Sequence, residues 1–310
     1  LGSLDDRDAA VTKAGGRIGV VGTGDMGSAM GGALVRAGYR VVTAGNGRSG
    51  HSRELAAREG IEDLGSLDAV VRESELLLSI VPPAAAAEFA RVVARTMTTA
   101  GVRPTFVECN AVAPATVRGI ARELEAAGAR FVDVGIVGRG PRVGGERTRL
   151  YVSGPHRAAV TALECPAIEL VDLGNEIGTA SALKMAYAAL NKGTDALFTA
   201  VLLAAERLGV RAPLMRELAG SQQEALARMR SRVPFLSATA ARYAPEMAEI
   251  AATYASVGVT PDFHRGAEWL YALLAHTPLA SETRATLPAT RSLDEALAVY
   301  AAALAAGADQ

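Results

Sequence analysis

The stretch "RIGVVGTGDMGSAMGGALVRAG", residues 17–38, decides how the rest of the chain is read. A β-branched run, Arg17 to Val21, stops at Gly22-Thr23-Gly24-Asp25-Met26-Gly27 and passes at once into a segment rich in Ala, Met and Leu. That is strand, tight turn and helix, with G-x-G-x-x-G at the turn. The first glycine permits the turn, the second lets backbone approach a pyrophosphate, and the third lets the helix pack closely. The helix N-terminus supplies amide donors to the phosphates. In a chain with 32 glycines the spacing alone says little, and its placement between strand and helix is what marks dinucleotide binding. All six residues of the turn are expected to contact the cofactor.

Working outward, β-branched runs alternate with Ala-rich amphipathic segments, the pattern of a parallel sheet covered by helices. Strands are expected at "YRVVTAG" (39–45), "LLLSIV" (76–81), "TFVECN" (105–110), "RFVDVGIV" (130–137), "TRLYVSG" (148–154) and "IELVDLG" (168–174). Among the helices between them, "APATVRGIARELEAAG" is expected to open at Asn110 with Pro114 in its first turn. The fold class is therefore α/β, with an N-terminal Rossmann-type doubly wound parallel sheet over residues 17–175.

After Asn175 the strand signals stop. Residues 176–209 contain no proline and read as one long interdomain helix of roughly 50 Å, either broken at Gly193 or packed on a partner, and ended by Gly209. Pro-bounded helical segments follow, "APLMRELAGSQQEALARMRS", "PEMAEIAATYASVG", "PDFHRGAEWLYALLAH" and "SLDEALAVYAAALAAG", so residues 176–310 form an all-helical C-terminal domain. In the long helix Lys184, Tyr187, Asn191 and Asp195 are spaced 3, 4 and 4 apart and fall along one face. Residues 1–16 begin without Met, lack an apolar run and read as a disordered leader.

Composition narrows the partners. Lys and Arg (32) nearly balance Asp and Glu (33), so nucleic acid and anionic membrane are not indicated, and a small-molecule partner is. Cys109 and Cys165 fit no metal or CxxC spacing, no metal site is legible, and two isolated thiols suit a reducing cytoplasm. No charge-free apolar stretch suggests a membrane span.

The end of the second strand bears on which nicotinamide cofactor is bound. It reads "AGNGRSG", with Asn46, Arg48 and Ser49 and no carboxylate until Glu54. An acidic residue there would accept from a ribose 2′-hydroxyl, whereas an arginine with two small donors suits a 2′-phosphate, so NADPH is expected. The alternative for Arg48 is an incidental charge on an exposed turn.

These residues resemble the 6-phosphogluconate and β-hydroxyacid dehydrogenase superfamily, which includes 3-hydroxyisobutyrate dehydrogenases and, more remotely, imine reductases. "GTGDMGSAM" is similar to the family's GLGxMGxxM, "SIVPP" to the stretch that flanks the cofactor, and "ECNAVAP" to D-x-S-T-x-x-P. The resemblance thereby implicates Val81, Pro82 and Asn110 in cofactor binding. "GTASALKMAYAALN" resembles GxGxxxKxxNN and implies that Lys184 is the catalytic lysine. The C-terminal helices look most like an uncharacterised branch of the superfamily.

The departures matter as much. Against the family's D-A-P-V-S-G-G, "DVGIVGRG" places Val137 where a serine holds substrate and Arg139 in place of a glycine. Tyr187 and Ala188 stand where the family has two asparagines. Tyr187, Asn191, Arg139 and Val137 are the expected substrate-contacting positions, and Arg139, Arg142, Arg147 and Arg149 a candidate clamp for an anionic group, or else a solvated loop. The histidines are scattered, and only His264 in "PDFHRGAEW" draws notice. The leading expectation is an NADPH-dependent reductase or dehydrogenase of a small anionic carbonyl or hydroxy compound, with Lys184 as general acid/base. Its competitors are an imine reductase with Tyr187 as proton donor, and a non-catalytic NADPH-binding regulatory protein. Because the long helix is apolar around most of its circumference, a homodimer through the helical domain is expected.

Overall fold

The computed structural model describes residues 16–283 and 286–308, so the expected leader lies outside the described residues apart from Gly16. Short β-branched runs bury both faces when helices cover a parallel sheet. Accordingly β1 (Arg17–Val21), β2 (Arg40–Thr43), β4 (Leu76–Ser79), β5 (Thr105–Glu108) and β6 (Arg130–Val137) are almost wholly buried. Between and beside them lie β3 (Glu62–Asp63), β7 (Thr148–Ser153) and β8 (Ile168–Asp172). The strand order is β3-β2-β1-β4-β5-β6-β7-β8, the doubly wound arrangement.

Among the described residues every strand pairing is parallel except β6 with β7. A parallel return needs a crossover of a dozen or more residues, and the link from Val137 to Thr148 is too short and has no helix, so β7 runs back along β6. The strand β3 is absent from the sequence-based expectation because it is two polar, exposed residues long.

Helices α1 (Asp25–Arg36), α2 (Gly50–Arg58), α3 (Leu67–Glu73), α4 (Ala86–Ala100) and α5 (Pro114–Ala126) cover the sheet. One core cluster joins Ile18, Val20, Met30, Leu34 and Leu78, and another joins Val42, Leu77, Phe106, Phe131 and Val93. Pro114 takes the first position of α5, with Ala113 as cap. Asn110 does not open that helix; its side chain is used elsewhere, as described below.

The long helix α6 runs unbroken from Thr179 to Arg207, about 44 Å at 1.5 Å per residue, with Gly193 inside it. The chain divides into two compact units, the first closing at Met185 and the second opening at Ala186. The second unit holds the rest of α6 with α7 (Arg211–Ser221), α8 (Gln223–Arg232), α9 (Ser237–Ser256), α10 (Asp262–Ala275) and α11 (Leu293–Ala308). Two boundaries differ from the sequence reading: Gln222 separates α7 from α8, and α9 starts eight residues before Pro245 and runs through it. Proline removes one ladder hydrogen bond. Burial of Ala240, Met247 and Ile250 on the same helix outweighs that loss.

Asp195 is buried in this unit and is not part of an open polar face. It accepts from Arg228 Nε at 2.9 Å and Arg232 Nε at 3.2 Å. Lys192 pairs with buried Glu246, and Tyr271 donates to the carbonyl oxygen of Lys192 at 2.8 Å. The C-terminal part of the polar stripe is thus an ion-pair network that ties α6 to α8 and α9.

Candidate active site at the carboxyl end of the sheet

The turn after β1 shows each glycine at work. Gly22 has φ +97°, and a Cβ there would lie 2.1 Å from the carbonyl oxygen of Ile80. A Cβ on Gly27 would lie 2.1 Å from the carbonyl oxygen of Gly22, so only glycine lets α1 approach the turn. At Gly24 nothing among the described residues stands within 4 Å of the added atom, which leaves backbone open to a bulky neighbour. Gly24 caps α1 without any side-chain bond, so the amides of the first turn stay available to phosphate oxygens. The residues present fit a dinucleotide. Thr23 is buried and donates to the carbonyl oxygen of Ser52, Asp25 is exposed, and Met26 packs on the sheet core.

The loop after β2 carries Asn46, Arg48 and Ser49, which the sequence reading expects to meet the adenosine ribose. Asn46 is exposed, and the Arg48 guanidinium has no hydrogen bond or ion pair among the described residues. Ser49 caps α2 by accepting from the amide of Ser52 at 3.2 Å. A carboxylate does reach the end of β2, though from β3: Asp63 Oδ1 accepts from the amides of Gly45 (2.7 Å) and Gly65 (2.8 Å). It is spent on shaping the loop.

On the other side of β1, Asn110 stitches two strand ends together. Its Oδ1 accepts from the amide of Val81 at 2.7 Å, and its Nδ2 donates to Ser79 Oγ at 2.8 Å. Its own amide donates to Glu108 Oε1 at 2.8 Å. Val81 is buried by this clamp and Pro82 stays exposed.

Val137 ends β6 and is buried, whereas Arg139, two residues on, is exposed. Gly140 lies against Ala29, Asp25 and Met26, so the loop that carries Arg139 comes up to the glycine turn. The expected arginine clamp separates: Arg147 turns to Glu164 and the carbonyl oxygen of Ile168, while Arg142 and Arg149 are exposed.

Lys184 is placed by its helix. Asp133, on β6, accepts from Ser181 Oγ (2.6 Å), Ser181 N (3.1 Å), Gly178 N (2.9 Å) and Ser153 Oγ (3.1 Å). Ser153 Oγ in turn accepts from the amide of Ala180 at 3.0 Å. A strand carboxylate and a strand hydroxyl therefore satisfy the orphan amides of α6, where the helix dipole favours negative charge. Gly135 completes the seat, since a Cβ there would lie 2.6 Å from the carbonyl oxygen of Ala180. With its first turn fixed, the helix delivers Lys184 Nζ to the carbonyl oxygen of Cys109 at 3.0 Å.

Tyr187 and Asn191 belong to the second unit: Tyr187 is 48% exposed, and Asn191 Nδ2 donates to the carbonyl oxygen of Tyr187 at 3.1 Å. His264 is buried, with Tyr254 edge-on at 4.4 Å, and burial lowers its pKa. Sequence reasoning missed Asp133, Ser153 and Glu108. The available signal was an acidic residue inside each of two apolar strands, "FVDVGIV" and "TFVE".

Residues 17–164 match the family described as the NAD binding domain of 6-phosphogluconate dehydrogenase, and residues 205–274 match a domain of unknown function, DUF1932. An uncharacterised 28.5 kDa protein from Methanothermus fervidus is 26% identical over 194 residues, 63% of this chain and 72% of its own. Among solved structures, the 3-hydroxyisobutyrate dehydrogenase of Mycobacterium tuberculosis is 19% identical with a TM-score of 0.64 over 92% of this chain and 98% of its own. An imine reductase from Streptomyces aurantiacus is 20% identical, with a TM-score of 0.52 over 83% of this chain and 93% of its own. Both structures share the fold. No helix among the described residues is long and apolar enough to cross a membrane.

Proposed function

We propose, on the premise that residues 17–164 are an NAD binding domain of the 6-phosphogluconate dehydrogenase kind, that the chain is an NADPH-dependent oxidoreductase of a small anionic carbonyl or hydroxy compound. Lys184 is its general acid/base. The observation that carries the reading is the placement of Lys184 Nζ on the carbonyl oxygen of Cys109, at the carboxyl end of the sheet where the glycine turn, Val81 and Asn110 also lie. Bound nicotinamide supplies or accepts hydride.

A carbonyl that receives hydride develops negative charge on oxygen, and the lysine ammonium stabilises and protonates that oxygen. In the reverse direction the neutral amine accepts the hydroxyl proton. Arg139, exposed on the loop beside the glycine turn, suits a substrate carboxylate, and buried Val137 offers that substrate no hydroxyl. Arg48 suits the 2′-phosphate, with Asn46 and Ser49 beside it.

Imine reduction is the second reading. Val137 in place of a hydroxyl residue and the exposed phenol of Tyr187 favour it, and the imine reductase of like fold is in keeping with it. The test is NADPH oxidation with a panel of aldehyde acids and cyclic imines, run on the native chain, Lys184→Ala and Tyr187→Phe. Loss of about 10²- to 10⁴-fold in turnover of a carbonyl acid in Lys184→Ala, with NADPH affinity kept, supports the first reading. Turnover confined to imines and lost in Tyr187→Phe supports the second. Full activity in Lys184→Ala overturns the acid/base role.

A further inference from the structure

We propose that Glu108 is a positioning residue for Lys184, the charge on its carboxyl group setting how firmly the lysine amine holds its proton. The proposal rests on the reading of Lys184 as the acid/base group and adds a residue that acts through it.

Register places Ser79, Glu108 and Asp133 side by side on β4, β5 and β6, so two carboxyl groups share one buried strand-end layer. Glu108 is 1% exposed and Asp133 0%. Two carboxylates this close and this dry are not both charged cheaply. Hydrogen bonds decide which keeps the charge. Among the described residues Asp133 accepts four and faces a helix N-terminus, whereas Glu108 accepts one, from the amide of Asn110, and its buried Oε2 has no partner. A bare, buried carboxylate oxygen is costly to leave charged, so Glu108 carries the proton.

Burial, the largest influence, pushes the Glu108 carboxyl up to about 8, and the charge of Asp133 adds to this, while the Asn110 amide and Lys184 oppose it. The titrating groups that face it are Asp133 from β6 and Lys184 from α6. The thiol of Cys109, the residue that follows Glu108, is pushed far up by burial and stays neutral. Lys184 is anchored to the residue adjoining Glu108. Below pH about 8 the lysine thus sits near a neutral carboxyl and gives up its proton readily; above it, a carboxylate forms and the ammonium is held.

The chain has three lysines, Lys13, Lys184 and Lys192, which makes the test direct. Competitive acetylation with acetic anhydride across roughly pH 6–11, read by mass spectrometry on the intact native chain, gives each lysine its own protonation profile. In wild type the Lys184 profile should carry an inflection near pH 8, where Glu108 ionises. In Glu108→Gln, an uncharged isostere, that inflection should vanish and the midpoint should fall by about one pH unit or more, with Lys192 unmoved. A wild-type Lys184 profile with a single inflection, or profiles that superimpose in wild type and folded Glu108→Gln, overturns the proposal. The wild-type measurement stands even if the variant fails to fold. Because acetylation needs no substrate, a Lys184→Ala variant that kept full turnover would remove the acid/base reading and leave the coupling result intact.

Discussion

Arg48 sits half-exposed on the loop after β2 with a guanidinium uncommitted among the described residues, beside an α2 cap and an Asp63 that is already engaged by two backbone amides. A charge-assisted contact to a 2′-phosphate contributes about 1.5–3 kcal/mol, so Arg48→Ala should weaken NADPH roughly 10- to 100-fold and leave NADH nearly unchanged. Fluorescence titration with both cofactors checks this, and equal losses would remove the 2′-phosphate role. Glu108 bears on stability as well as on Lys184. Its folded-state carboxyl, raised to about 8, binds a proton that the unfolded chain has released above its ordinary value of 4.5. Its contribution is fully present below pH 4.5 and is lost as pH rises to about 8, at up to about 1.4 kcal/mol per pH unit within that window. Urea unfolding at several pH values should show the wild type losing stability through this window relative to Glu108→Gln; parallel curves would contradict the buried, protonated carboxyl.

At the scale of elements, the device that matters most is the seat of α6, a helix whose first turn is closed by a strand residue 45 positions away, Asp133 to Gly178. Removing that carboxylate strands four buried donors. Asp133→Ala should therefore cost on the order of 3 kcal/mol, read as a lowered denaturation midpoint, and should loosen the Lys184 contact with Cys109. Asp133→Asn, which keeps an acceptor, should cost less. This seat shows where sequence reading stopped. The glycine turn and the β-branched strands were legible because their signals are local: a turn needs glycine at fixed offsets, and a buried strand needs consecutive apolar residues. The partners of Asp133 come from β7 and from the start of α6, and nothing near it in sequence announces them. Strand β3 escaped notice for a related reason, since two polar residues earn strand geometry only from pairing with β2. Likewise Asn110 reads locally as a helix cap, but its neighbours in space, Val81 and Ser79, turn it into a clamp. The polar stripe of α6 was visible as a spacing, but spacing did not distinguish Lys184, delivered to the carboxyl end of the sheet, from Asp195, buried between two arginines.

For the whole molecule, what matters is that α6 in the second unit has one side buried within the chain and one side exposed. Its inward side is occupied by Ala189, Asp195, Thr199, Leu202 and Leu203, all buried within the single chain. On its other side Leu190 (67%), Leu197 (61%) and Val201 (37%) are exposed, spaced 7 and 4 apart, and exposed Leu208 (74%) follows directly after the helix. That spacing keeps one apolar seam in register along the helix, the pattern by which helices pair along a shared axis. An exposed apolar stripe of such length is uncommon on a monomer. A second copy of the same helix is the simplest cover, because a two-fold interface uses one patch twice. A homodimer with a total interface above about 2,000 Å² is the expectation. Two substitutions separate assembly from folding. Leu197→Glu puts a charge on the exposed seam and should give a folded monomer by light scattering at micromolar concentration, with helix content retained. Leu203→Glu puts the same charge at a position 3% exposed within one chain, and it should lower the unfolding midpoint or prevent folding whatever the oligomeric state. Wild-type scattering of a monomer, or a Leu197→Glu variant that stays dimeric, would show that the seam faces solvent or another partner.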